Sequence, residues 1–174
     1  VGQGQLPPDH TVVVEWNNPA AVEAAFAQHR GEIASVICEP LVANSSCLPP
    51  DPGFLEFLRE ITLREGALLI FDEVITGFRL ALGGAQEFYN VVPDLATYAK
   101  AVGAGTPLSV LAGRRCYMDL IANGKVVHAG TLNGNPLSLA AAHAALNALS
   151  RQHGEVYGTF HTLGRQLRYG LDEQ

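Results

Sequence analysis

From Ala67 to Phe71 the chain reads Ala-Leu-Leu-Ile-Phe, with Gly66 before it and Asp72-Glu73 after it. A run this short and this uniformly apolar fits a strand in the middle of a parallel sheet covered on both faces, because no position along it is set aside for water. The neighbouring segments agree. Phe54, Leu58 and Ile61 repeat at helical spacing, and Gly66 supplies the stop. Ile33–Glu39, Leu95–Ala99 and Ser109–Gly113 read as further short strands, and Thr11-Val12-Val13-Val14-Glu15-Trp16 as another, β-branched one. Asn18 followed by Pro19 opens a helix to about Arg30, with Val22 and Phe26 on one face. Asn135-Pro136 opens an Ala/Leu-rich helix to about Ser150, and residues 155–174 are again helical. Residues 1–10 and the Pro/Ser-rich stretch from Pro40 to Pro52 read as loops. Strands alternating with helices predict an α/β fold, a mostly parallel sheet with helices on both faces.

In such a sheet, ligands bind at the carboxyl ends of the strands. Glu39, Asp72 and Lys100 all fall at those ends. Lys100 is one of only two lysines, and its neighbours Ala99, Ala101 and Val102 are apolar; Lys125 lies in a polar loop. Burial among such neighbours would lower the amine's pKa and free it to attack a carbonyl. Taken singly, Lys100 also reads as a strand-end lysine reaching solvent, and Asp72 as a turn or cap residue. Asp72-Glu73 as a metal site, in the manner of nucleotide-hydrolysing enzymes, wants a glycine-rich phosphate loop with Lys-Ser/Thr upstream, and the sequence has none. His128 and His143 stand too far apart to be ligands, so no metal is expected.

An amine and a carboxylate, each at the carboxyl end of a strand-like segment, are what pyridoxal 5'-phosphate chemistry requires. The lysine holds the aldehyde as a Schiff base, and the carboxylate keeps the pyridinium nitrogen protonated. A unit charge pair about 4 Å apart at an effective dielectric of ~20 is worth roughly 4 kcal/mol, or about three pKa units. Three further residues are candidates around the cofactor. Val74 follows Asp72 by two and, in a continuing strand, lies on the same side to press on a planar ring. Asn44, after Glu39-Pro40, is placed to donate to a phenolic oxygen. Thr131, with Gly130 before it and Gly134-Asn135-Pro136 after it, lies in a loop where a hydroxyl and backbone N–H groups can meet phosphate. Core packing, a turn and a cap are the ordinary readings of Val74, Asn44 and Thr131.

Four stretches carry a resemblance: Ile37-Cys38-Glu39-Pro40, Ala67–Arg79, Gly83–Arg115 and Gly130–Ala142. In this order and spacing the chain resembles the class III pyridoxal-phosphate-dependent aminotransferases, most of all the glutamate-1-semialdehyde 2,1-aminomutases. The likeness covers roughly residues 33–150. It implies the large, cofactor-binding domain of a fold-type I transferase, with residues 1–150 part of that domain and 151–174 a helix leading toward a C-terminal small domain. It implies that Lys100 carries the cofactor, Asp72 pairs with the ring nitrogen, Val74 packs on a ring face and Asn44 lies near the phenol. Thr131 would reach the phosphate of a neighbouring subunit, which makes the active unit a homodimer. Gly77-Phe78-Arg79 and Gly134-Asn135-Pro136 are assigned to backbone geometry and packing. The implied reaction is amino-group transfer on a small-molecule donor and acceptor, within glutamate semialdehyde for an aminomutase or to an oxo acid for an aminotransferase. The turn after the lysine is usually three glycines and here is Gly103-Ala104-Gly105; Asn133 stands where serine is usual.

Composition excludes other classes. The net charge of -6 gathers no basic patch for nucleic acid or anionic membrane, and no apolar run approaches the roughly 20 residues of a membrane span. Three cysteines without CxxC spacing argue against disulfides or a zinc ribbon, and the cytoplasm is the expected compartment. Met118 is the only methionine, and the chain stops within a helical pattern of Leu163, Leu167 and Leu171. It therefore reads as a piece of a larger enzyme, expected to be inactive on its own; the alternative is a truncated or degenerate domain that catalyses nothing and serves at most as an interaction module.

Overall fold

The computed structural model describes residues 10–173, so the loop expected for residues 1–10 falls, except for His10, outside them. Four strands form one sheet in chain order: β1 Ser35–Cys38, β2 Leu68–Asp72, β3 Leu95–Tyr98 and β4 Val110–Gly113. β1 and β2 run parallel, with Ser35 opposite Leu68 and Cys38 opposite Phe71. β2 and β3 are parallel too, with Ile70 opposite Leu95 and Asp72 opposite Thr97. β4 is antiparallel to β3, from Leu95 opposite Gly113 to Tyr98 opposite Val110. The parallel pairs are joined through helices, α2 Phe54–Glu65 and α3 Gly84–Phe88. A return from β3 to β4 without a crossover helix permits the antiparallel pairing.

The helices form where local chemistry asks for them. The Asn18 side chain accepts from Ala21 N–H and caps α1, Pro19–Gln28, on which Val22 and Phe26 are buried. α2 ends at Gly66 in the left-handed conformation (φ +73°), its N–H returning to Thr62 C=O. Asn135 caps α5, Pro136–Leu149, accepting from Leu137 and Ser138 N–H groups. Two helices complete the list: α4, Arg115–Ala122, and α6, Glu155–Asp172. The first turns of α6 dock on the chain after β2, where Tyr157 Oη donates to Phe78 C=O at 3.1 Å and His161 Nε2 meets Leu80 C=O at 3.0 Å. Leu163, Leu167 and Leu171 beyond them are exposed.

Sheet alternation divides the residues into two unequal faces. Leu69, Phe71, Ala96 and Tyr98 share one face and are buried against a core containing Phe54, Leu55, Leu58 and Ile61 of α2. On the other face Ile70, Asp72, Leu95 and Thr97 are only half-buried, and Ile37 is 64% exposed. The expectation that β2 is covered on both sides therefore holds for one face; the second is partly open among the described residues. A second expectation is corrected outright. Thr11–Glu15 form no strand, and Val13 is 89% exposed, because these residues make no backbone hydrogen-bond ladder with any described segment. No helix among the described residues is long and apolar enough to cross a membrane.

Candidate functional site

The parallel register brings three chemically active groups to one edge. Cys38 lies opposite Phe71 and Asp72 opposite Thr97, so Glu39, Asp72 and the segment leading to Lys100 leave the sheet side by side. Neighbouring strands are about 4.8 Å apart, which sets the lateral spacing of these chain ends. Asp72 is half-buried. Its Oδ1 accepts from Val74 N–H at 3.0 Å and from Thr97 Oγ1 at 3.3 Å. Its Oδ2 has no hydrogen-bond partner among the described residues.

Lys100 begins a single 3-10 turn, Lys100–Gly103, directly after β3. Its φ of +47° lies in the left-handed region, which costs a side-chain-bearing residue on the order of 1 kcal/mol. The strain reverses the chain at the strand end, where Val102 and Gly103 are buried while Lys100 stays exposed. The apolar neighbours thus anchor the turn rather than bury the amine, contrary to the burial expected for it. No ion pair forms at Lys100 among the described residues.

The remaining sequence candidates are placed as follows. β2 ends at Asp72, although Glu73 N–H still reaches Thr97 C=O at 2.9 Å. Val74 is therefore in a turn and not on a continuing strand; its N–H steadies Asp72 and its side chain is half-buried. Asn44 sits at the tip of a loop closed by the Val42–Leu48 bridge, exposed, its Nδ2 donating to Glu39 Oε1 at 3.1 Å. Glu39 Oε2 accepts from Ala43 N–H at 3.1 Å, so this carboxylate organises the loop that carries Asn44. Thr131 is exposed ahead of α5 and makes no hydrogen bond to Asp72, Asn44 or Lys100. The structure joins Asp72 to Val74 directly, sets Lys100 on the adjacent strand end, and leaves Thr131 apart.

Two buried carboxylates have roles the sequence did not reveal: Glu73, read there only as a possible metal partner of Asp72, and Asp94. Glu73 is fully buried and accepts from Thr76 Oγ1 at 3.0 Å, from Gln86 N and Nε2 at 3.3 and 3.2 Å, and from Ala85 N–H. Pinned in this way, it turns away from any shared metal site with Asp72. Gln86 Nε2 also donates to Tyr98 Oη, and Tyr98 packs where a side chain at Gly77 would have to stand. Burial, then the nearby Glu73, push the Tyr98 phenol up to about 12, and the Gln86 hydrogen bond opposes them. Burial, with Asp72 and Glu39 adding to it, likewise pushes the Cys38 thiol up to about 12, so this cysteine stays a neutral thiol. Asp94 closes the opposite edge. Its Oδ2 meets Arg59 Nη1 at 2.9 Å and Leu69 N–H at 2.9 Å, and its Oδ1 meets Arg114 Nε at 3.3 Å. The one available signal was an ionic residue at the start of an apolar strand, which is also how Asp72 appears at the end of one.

Known proteins resemble this chain in sequence and fold. The family model described as aminotransferase class-III matches residues 5–174. A glutamate-1-semialdehyde 2,1-aminomutase from Thermomicrobium roseum is 53% identical over 164 residues, which are 94% of this chain and 38% of that protein. One from Opitutus terrae is 52% identical over 159 residues, 91% of this chain and 37% of that protein. Among solved structures, an omega-transaminase from Sphaerobacter thermophilus superposes with a TM-score of 0.86 at 36% identity, covering 93% of this chain and 37% of its own. A structure titled as a transaminase with PLP bound superposes with a TM-score of 0.76 at 32% identity, covering 82% and 34%. The chain thus spans well under half the length of these relatives, and within that span it belongs to the class-III aminotransferases.

Proposed function

We propose that the full-length protein bearing this chain is a pyridoxal-phosphate-dependent enzyme that moves an amino group, acting as a glutamate-1-semialdehyde 2,1-aminomutase. The single observation that carries this reading is the register Asp72 opposite Thr97, which delivers a carboxylate and, three residues later, a lysine to one sheet edge. The residues present fit the cofactor. Asp72 keeps one carboxylate oxygen uncommitted in a half-buried position, where a cationic ring N–H would satisfy it, and Lys100 offers an amine engaged in no ion pair. When bound, pyridoxal phosphate supplies an aldehyde for amines and a protonated ring that accepts electrons from the substrate carbon.

The chain's own residues perform the rest. Asp72, held at Oδ1, sets the position of the ring and keeps its nitrogen charged. Lys100 Nζ, projected from a strained turn, would hold the cofactor's aldehyde with loss of water and, as a free amine, would carry a proton between carbons of the reacting groups. Asn44 is the proposed donor to the cofactor phenol, its carboxamide steadied by Glu39. Val74 covers a ring face, and Thr131 serves the phosphate of a partner copy in a homodimer.

A second reading, transfer to a separate oxo acid, is favoured by the omega-transaminase likeness. Assaying the purified full-length protein with glutamate 1-semialdehyde, with and without added oxo acid, separates them. Formation of 5-aminolevulinate without an acceptor is the expected result, and strict dependence on the acceptor would favour the second. Failure of the full-length protein to bind pyridoxal phosphate removes both. The 174-residue chain alone, with 38% of the length of its Thermomicrobium roseum relative, is expected to be inactive.

A further inference from the structure

Resting on that function, we infer that Thr97 is a positioning residue whose hydroxyl orients Asp72 toward the cofactor's ring nitrogen. Asp72 and Thr97 are register partners on parallel strands, so their side chains leave the same face of the sheet. Rotation about the terminal torsion of an aspartate is broad and nearly two-fold, and a carboxylate at a strand end keeps that freedom unless a donor removes it. Here two donors converge on a single oxygen: Val74 N–H at 3.0 Å and Thr97 Oγ1 at 3.3 Å, both on Oδ1. They arrive from different strands. Val74 follows β2, and Thr97 belongs to β3, the strand that ends in Lys100. Among the described residues the Thr97 hydroxyl thus makes the one direct side-chain hydrogen bond between the strand carrying the acid and the strand carrying the amine at this edge. With Oδ1 taken, Oδ2 is the oxygen left to a cationic N–H. A hydrogen bond to a carboxylate also favours its charged form, which is the form needed opposite a pyridinium.

The ordinary role for Thr97 is strand propensity. Valine has the same shape and is as good a strand former, so Thr97→Val removes the hydroxyl and little else. Thr97→Ser keeps the donor and removes the methyl group.

The test measures equilibrium binding of pyridoxal 5'-phosphate to the full-length protein, freed of cofactor, by absorbance titration beside urea unfolding of the same samples. Thr97→Val is expected to weaken binding about tenfold, at the lower end for hydrogen bonds to charged groups, with an unchanged unfolding midpoint. Thr97→Ser should stay within about twofold of wild type. In an Asp72→Ala background, Thr97→Val should produce no additional loss, since the hydroxyl acts only through the carboxylate. Wild-type affinity in Thr97→Val, no rescue by serine, or the same tenfold loss without Asp72 would each overturn the inference. Wild-type protein that fails to bind the cofactor defeats the proposed function itself, an outcome distinct from tight binding indifferent to Thr97.

Discussion

At the amino end of β3, Asp94 is 2% exposed, and its two oxygens take one backbone N–H and two guanidinium groups. At the carboxyl end of β2, Asp72 is half-buried, with one oxygen holding a hydroxyl and an N–H and the other holding nothing among the described residues. The two carboxylates belong to the same sheet and close similar apolar segments, yet only one is saturated. A buried charge left unpaired is costly, so a carboxylate that serves the fold gathers cations and donors until its capacity is filled. One that serves a ligand has to keep capacity in reserve. The amino edge is thus a clamp, tying α2 through Arg59 and the start of α4 through Arg114 to the beginning of β3. Reserve capacity, together with a lysine in a strained backbone, is the ground on which the carboxyl edge is proposed as the working one.

The comparison breaks if substitutions at the two edges have similar consequences. The largest effect is expected for Lys100→Ala in the full-length enzyme, a fall in kcat of at least about 10⁴-fold, since one group both bonds the carbonyl and moves the proton. Asp72→Ala should cost about 10³-fold, the kinetic equivalent of a roughly 4 kcal/mol charge pair, while shifting unfolding free energy by less than about 1 kcal/mol. Steady-state rates and urea unfolding on the same preparations check both numbers. Asp94→Ala should do the reverse. Removing it strands Arg59, whose side chain is 14% exposed and whose Nε already lacks a partner, and orphans Leu69 N–H. A loss of about 3–5 kcal/mol in unfolding free energy follows, with kcat of the remaining folded enzyme near wild type. If Asp72→Ala proved the more destabilising of the two, the division between clamp and working edge would be abandoned.

Much of this was readable in the chain itself, and the exceptions share a cause. The capped starts at Asn18 and Asn135, the stop at Gly66 and the short apolar strands are local signals, and each element formed within a few residues of its expected bounds. Asp72 and Lys100 were visible because both end apolar runs. What stayed hidden depends on neighbours remote in sequence. Thr11–Glu15 has strand composition and no ladder partner. The hydroxyl of Thr97 matters only once register sets it opposite Asp72, and a one-residue slip would turn it to the other face. Glu73 looked like a companion to Asp72 until Gln86, thirteen residues on, claimed it. Exposure of Lys100 likewise followed from what packs on the turn rather than from the apolar residues beside it.

Smaller effects sharpen the same contrast, because strain is tolerated at the carboxyl edge without relief. Lys100 and Ala104 both adopt left-handed backbone, at φ +47° and +49°, at either end of one short turn. Glycine enters that region freely, whereas a Cβ costs roughly 1–2 kcal/mol, offset in part by the greater unfolded-state entropy of glycine. Lys100→Gly should therefore be about 0.5–1 kcal/mol more stable than Lys100→Ala, although both are equally inactive; comparing two dead variants isolates backbone strain from lost chemistry. Ala104 provides the cleaner case. It is exposed, so its methyl group contributes little packing, and it stands where the family's turn carries glycine. Ala104→Gly should raise unfolding free energy by about 0.5–1 kcal/mol in urea titrations and leave cofactor binding within twofold. Stabilisation accompanied by weakened binding would mean that the alanine stiffens the turn presenting Lys100, so that the strain belongs to the site. Unchanged stability would mean that this backbone is not strained at all, and the working edge would then be distinguished from the clamp by unsatisfied charge alone.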